Sequence, residues 1–148
     1  MRRIVPWLLV LVWAAVMFNF STDSFSAEHT SRFIVPILQW LLPHASADTI
    51  DALHEVVRKC AHVFEYCVLS VLLFRAVRAR ATGWTLRWAS TALLLTALFA
   101  ASDEFHQTFV PSRGASVWDV LLDTTAAATA QLVIWLWARR NTSSHSDG

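Results

Sequence analysis

Apolar residues in this chain are pooled into four long runs, at residues 4–20, 60–77, 86–101 and 117–137, and few folds tolerate that pattern. A hydrocarbon core of roughly 30 Å is crossed by about 20 apolar residues of helix, with a range of about 17–25. The four runs are of that order. They are continuous and rich in Leu and Ala, so the alternation that a transmembrane barrel needs is missing. The expected fold is all-α: an integral membrane bundle of four transmembrane helices, filling residues 1–140 as one domain. Residues 141–148 are polar and Ser-rich and are expected to form a disordered tail.

Only 16% of the 148 residues are charged and the formal net charge is +1, so no bulk electrostatic argument for a nucleic-acid partner exists. The bilayer is the expected partner. Cys60 and Cys67 lie two helical turns apart, about 10 Å, which is too far for a disulfide. Both read as reduced packing residues. The first run follows Arg2 and Arg3 and resembles a leader. Its exit, Phe18-Asn19-Phe20-Ser21-Thr22, offers no small-x-small cleavage site, so it is read as a retained first span.

Loop charges set an expected orientation. Arg2, Arg3, Arg75, Arg78, Arg80, Arg87, Arg139 and Arg140 fall on one side, with Trp7, Trp84, Trp88, Trp135 and Trp137 near them. The sparser set is Arg32, Arg58, Lys59 and Arg113, with Trp40 and Trp118. The positive-inside rule puts the first side in the cytoplasm, giving a multi-pass protein of a bacterial-type inner membrane with both termini cytoplasmic. The first outer segment, residues 21–58, contains an apolar stretch at 33–42 that is too short to span. It reads as a short interfacial helix bent near Pro36 and ended by Pro43. A further helix is expected from an Asp48 N-cap, with Asp51 in its first turn. No Gly or Pro occurs between residues 49 and 80, so that helix can run on into the second span.

Ionisable residues within spans are costly and default to a functional reading. The second run is entered by Lys59, His62, Glu65 and Tyr66, of which Lys59, His62 and Tyr66 share a stripe. The third ends in Asp103, Glu104, His106 and Gln107, and the fourth opens with Asp119 and Asp123. The expected topology brings all three sets to the outer ends of adjacent helices, around one shallow cavity rimmed by the loop carrying Arg113. Asp123 lies one turn deeper than Asp119, so it is expected to pair with Lys59, His62 or His106.

Three chemistries suit such a cavity. His62, Glu65, Asp103 and His106 could act as an acid/base cluster. The same four could instead ligate a divalent metal such as zinc or manganese, although no cofactor is required. A binding pocket without chemistry is the third option, with Lys59 and Arg113 holding a lipid head group or a glycan pyrophosphate. No Gly-rich phosphate loop and no Gly-x-Ser-x-Gly elbow is present.

The segments Lys59-Cys-Ala-His62-Val-Phe-Glu65-Tyr66, Asp103-Glu104-Phe-His106-Gln107-Thr-Phe109-Val110-Pro111-Ser-Arg113 and Asp119-Val-Leu-Leu-Asp123-Thr resemble the signature of the VanZ-like membrane family. The resemblance covers nearly the whole chain before the tail. Ser112 and Ala126 stand where that family often has glycine, which bears on loop shape and on close helix packing. The resemblance implies that Lys59, His62, Glu65, Tyr66, Asp103, Glu104, His106, Gln107, Arg113, Asp119 and Asp123 are the recurrent polar positions. The family takes its name from a protein associated with resistance to teicoplanin, a glycopeptide. The expectation is therefore an envelope protein that recognises or modifies a lipid-linked or cell-wall component. The alternative is a structural or partner-binding membrane protein whose polar cluster only holds helices together. A proton-coupled transporter fits less well, because the middle and cytoplasmic halves of the spans lack ionisable residues.

Overall fold

The computed structural model describes residues 4–21, 27–110 and 116–143. These form five helices and no strand: α1 (Val5–Phe20), α2 (Ala27–Leu41), α3 (Ala47–Arg78), α4 (Leu86–Gln107) and α5 (Val117–Ser143). α3, α4 and α5 pack against one another, while α1 and α2 each lie on α3.

Local chemistry accounts for the helix limits. Pro6 sits in the first turn of α1, where its missing N–H costs nothing. α3 is capped by Ser46, whose Oγ accepts from the Thr49 N–H at 3.3 Å, and not by Asp48, which falls in the first turn. Both residues are good caps. Ser46 wins because it alone keeps an extended backbone there, with ψ 158°. As expected, α3 then runs unbroken, for 32 residues. It ends at Ala79, which adopts a positive φ of 54°. Gly83, at φ 80°, completes the turn, and its carbonyl accepts from the Arg78 guanidinium at 3.2 Å. Thr85 caps α4. α2 starts at Ala27, earlier than the apolar stretch at 33–42, and carries Pro36 inside it. α5 continues to Ser143, three residues into the segment read as a tail; the remainder of that segment lies outside the described residues.

The packing is inverted relative to a water-soluble bundle. Ala92, Ala100 and Ala127 are 0% exposed, whereas Leu94, Leu98 and Leu132 are 60%, 58% and 52% exposed. Small residues at helix contacts and large apolar ones outside are what lipid solvation produces, since lipid tails are as apolar as Leu and only close packing or polar bonding favours association. α3 and α5 touch along Ala126 and Ala127, both buried. Their closeness lets side chains reach backbone across the interface. Cys67 Sγ donates to the Ala126 carbonyl at 3.2 Å and Ser70 Oγ to that of Ala127 at 3.2 Å. Gln131 Nε2 donates to the Ser70 carbonyl at 3.1 Å and to its hydroxyl at 2.8 Å. α1 is pinned to α3 by Trp13 Nε1, which donates to the Glu65 carbonyl at 3.1 Å. α2 is tied to α3 through Thr30 and the buried His54, at 3.2 Å.

Two of the four expected spans meet both length and apolarity: α3 over Ala47–Arg78 and α5 over Val117–Asn141. α1 is apolar but has only 16 residues. α4 has the length, 22 residues, but its apolarity is diluted by Ser90, Thr91, Thr96, Ser102 and its terminal acids. Those four hydroxyls bond back to carbonyls of their own helix, at 3.1, 2.8, 2.8 and 2.8 Å, which satisfies them without water. Cys67 packs in the interior, but Cys60 is exposed and is not the packing residue its type suggested.

Candidate functional site

Away from the α3–α4 turn, the other end of the bundle gathers most of the polar residues expected to act together. The C-terminal turn of α4 supplies Asp103, Glu104 and Gln107, all buried. Their spacing of one, three and four residues spreads them over the arc that faces α1, α3 and α5. Asp103 Oδ2 accepts from the Tyr66 hydroxyl of α3 at 3.4 Å and from Gln107 Nε2 at 3.1 Å. Gln107 Nε2 also donates to the hydroxyl of Ser21, just beyond α1, at 3.1 Å. Glu104 Oε2 accepts from the Ser116 N–H at 2.8 Å, at the mouth of α5. That carboxylate therefore meets the positive end of the α5 dipole. A single turn of α4 thus ties together α1, α3 and α5.

The first two turns of α5 bring Asp119 and Asp123 to the same region. Lys59 of α3 forms its ion pair with Asp119, Nζ to Oδ1 at 3.1 Å, on the exposed rim. The expected partner for a cation was Asp123, one turn deeper. That expectation is corrected: Asp123 is 2% exposed, its Oδ1 has no hydrogen-bond partner, and no described cation pairs with it. Lys59 takes the rim carboxylate because its long stem can do so while leaving its ammonium in contact with water, whereas reaching Asp123 would bury it. Asp123 instead lies within the electrostatic reach of Glu104, Asp119, Asp103 and Glu65. Four further carboxylates, from α3, α4 and α5, therefore surround it at this end of the bundle.

His62 and Glu65 occupy a neighbouring face. With Phe20, Thr30, Ile34, Val57, Arg58 and Ala61 they line a cavity of about 230 Å³ between α1, α2 and α3. Glu65 is the link, lining this cavity while its charge is felt by Asp123. His106 turns toward α1, its ring 4.5 Å from that of Phe18, with Nδ1 buried and without a hydrogen-bond partner among the described residues. The single expected constellation is thus resolved into an acidic cluster at α3–α4–α5 and a half-apolar cavity at α1–α2–α3. Arg113, expected on the rim, lies outside the described residues. Among the described residues, no three His, Cys, Asp or Glu side chains stand together as a metal's ligand set, so His62, Glu65, Asp103 and His106 are not gathered as one.

Three contributors had no signal in the sequence. Ser21 closes the Gln107 bond, and Ser70 with Gln131 forms a polar contact inside the bundle. Each is a lone small or amide side chain, and its partner is 61 or more residues away.

The family model VanZ/LLP1 matches residues 6–138. The chain belongs to the VanZ/LLP1 family. No curated protein and no solved structure matches it. The matched segment contains all five helices up to the last turns of α5, and therefore every residue of both polar faces. Membership in VanZ/LLP1, the inverted packing and the two span-length helices together make this a membrane protein.

Proposed function

We propose that this VanZ/LLP1 protein spans an inner membrane four times, with both termini cytoplasmic, and presents its acidic end to the outside. There it recognises a lipid-linked or cell-wall component, in a role linked to tolerance of teicoplanin-type glycopeptides. The observation that carries this reading is the buried convergence of Asp103, Glu104 and Asp123 at one end of the bundle, with Tyr66 and Gln107 holding Asp103 in place. Holding helices together does not require it. A carboxyl group without a partner, such as that of Asp123, opposes packing in a bundle interior, where an apolar residue of similar volume is often neutral or stabilising. The adjoining cavity of about 230 Å³ offers the apolar wall that an amphiphile needs, with Arg58, His62 and Glu65 at its polar side. A second, purely architectural reading is favoured by one observation, the Ser21–Gln107–Asp103–Tyr66 chain, which does join three helices.

The two readings separate in cells that express the protein and are scored for teicoplanin tolerance alongside its amount in the membrane. His62→Ala, Glu65→Gln and Asp123→Asn are expected to leave the amount unchanged and return tolerance to the level of cells without the protein. Parallel losses of protein and tolerance would establish the architectural role in its place.

A further inference from the structure

The acidic end of the bundle has more acceptors than donors. Four described donors bond carboxylates there: the Tyr66 hydroxyl and Gln107 Nε2 on Asp103 Oδ2, the Ser116 N–H on Glu104, and Lys59 Nζ on Asp119 at the exposed rim. Two acceptors remain over. Asp103 Oδ1 and Asp123 Oδ1 are both buried without a hydrogen-bond partner, on side chains 6% and 2% exposed. Asp123 is 2% exposed on a helix that packs against α3 and α4, so its carboxyl group is turned into the bundle and not toward its surroundings. A buried polar atom left without a hydrogen-bond partner costs about 1–3 kcal/mol, which a donor brought by a ligand would recover.

We propose that this end of the bundle binds a primary ammonium group, with Asp123 and Asp103 as its acceptors. The inference rests on the recognition role proposed above and names the chemistry recognised. A primary ammonium carries three donors and no acceptor, which is the complement of a site rich in carboxylate oxygens, two of them buried and unbonded. Charge-assisted bonds of this kind are roughly twice as strong as neutral ones. A divalent metal is the poorer complement. It needs several ligands on one point at about 2.0–2.6 Å, and among the described residues no three His, Cys, Asp or Glu side chains form such a set. Primary ammonium groups reach the outer face of a membrane from two sources, ethanolamine head groups and the free amines of cell-wall peptides.

The test uses the full chain in lipid nanodiscs and follows its thermal unfolding. In phosphatidylglycerol discs, adding phosphatidylethanolamine or saturating soluble ethanolamine is expected to raise Tm by about 3–6 °C, as ligand binding to the folded state alone predicts at roughly ten to one hundred times Kd. A rise with the lipid alone assigns the head group as the source, and a rise with soluble ethanolamine assigns a free amine. Tetramethylammonium, which has no N–H, and magnesium chloride are expected to give no rise. Asp123→Asn and Asp103→Asn are expected to abolish the response, and Asp123→Asn without ligand is expected to unfold no earlier than wild type, because it removes an unpaired charge. The proposal is overturned by no response to either amine, by an equal response to tetramethylammonium or magnesium, or by a full response in both variants. Teicoplanin tolerance that still depends on Asp123 in a protein blind to amines would remove the ammonium and keep the recognition role. Amine binding with tolerance indifferent to Asp123 would do the reverse.

Discussion

Lys59 and Gln107 show how differently polar contacts are weighted at this site. The Lys59–Asp119 pair sits on the rim, with side chains 48% and 36% exposed, where such pairs contribute about 0–1 kcal/mol. Gln107 is buried and bonds two partners at once. Removing it leaves Asp103 Oδ2 with only the long bond to Tyr66 and strips Ser21, a loss of about 1–3 kcal/mol. Lys59→Gln is thus expected to leave Tm in detergent nearly unchanged, whereas Gln107→Ala lowers it measurably. Similar small losses for the two would show that the Ser21–Gln107–Asp103 chain does not form. Asp123 belongs to the same scale. Its depth was readable from its spacing behind Asp119, but its partner was not, because the choice of Lys59 between two carboxylates depends on where the rim meets water.

Among the helices, what could be read in advance followed from local rules, and what could not depended on distant contacts. The continuity of α3 was legible because no Gly or Pro interrupts residues 49–80. Its cap was displaced from Asp48 to Ser46, two residues apart and chemically alike, so only backbone geometry distinguishes them. The early start of α2 was missed because residues 27–32 give no apolar run; within them Thr30 meets His54 of α3. The α3–α5 contact was legible only at Ala126, through the family resemblance. Alanine has the same signature in any helix, and only the fold shows that Ala126 and Ala127 lie where α3 reaches their carbonyls. Ala127→Leu is expected to force the pair apart and cost about 1–3 kcal/mol. Gln131→Leu removes an interhelical bond of the kind averaging about 0.6 kcal/mol in membranes. The order of the two Tm values, Ala127→Leu below Gln131→Leu, tests whether close packing outweighs the polar contact.

At the scale of the whole molecule the arginines and aromatics divide the two ends. Near the α3–α4 turn, Arg139 lies over Trp135 at 4.4 Å and Trp135 lies 6.4 Å from Trp84. Amphipathic rings with basic partners are the usual furniture of a membrane–water boundary. The proposed orientation puts this end in the cytoplasm. Alkaline phosphatase, which is active only outside, is expected to be silent when fused after Gly83 and active when fused after Gly114. The opposite pattern would turn the acidic cluster inward and remove its access to the cell wall.

α3 is about 48 Å long, well beyond a hydrocarbon core of roughly 30 Å, and it is a single rod. α2 leans on the projecting part through Thr30 and His54, while Lys59, Glu65 and Tyr66 sit farther along the same rod. A helix without Gly or Pro curves gently and has no hinge. In the proposed orientation, the roughly 18 Å of rod beyond the hydrocarbon core is the short arm of a lever. A load on α2 would then reach the Tyr66–Asp103 contact through one rigid helix, without a relay of side-chain rearrangements.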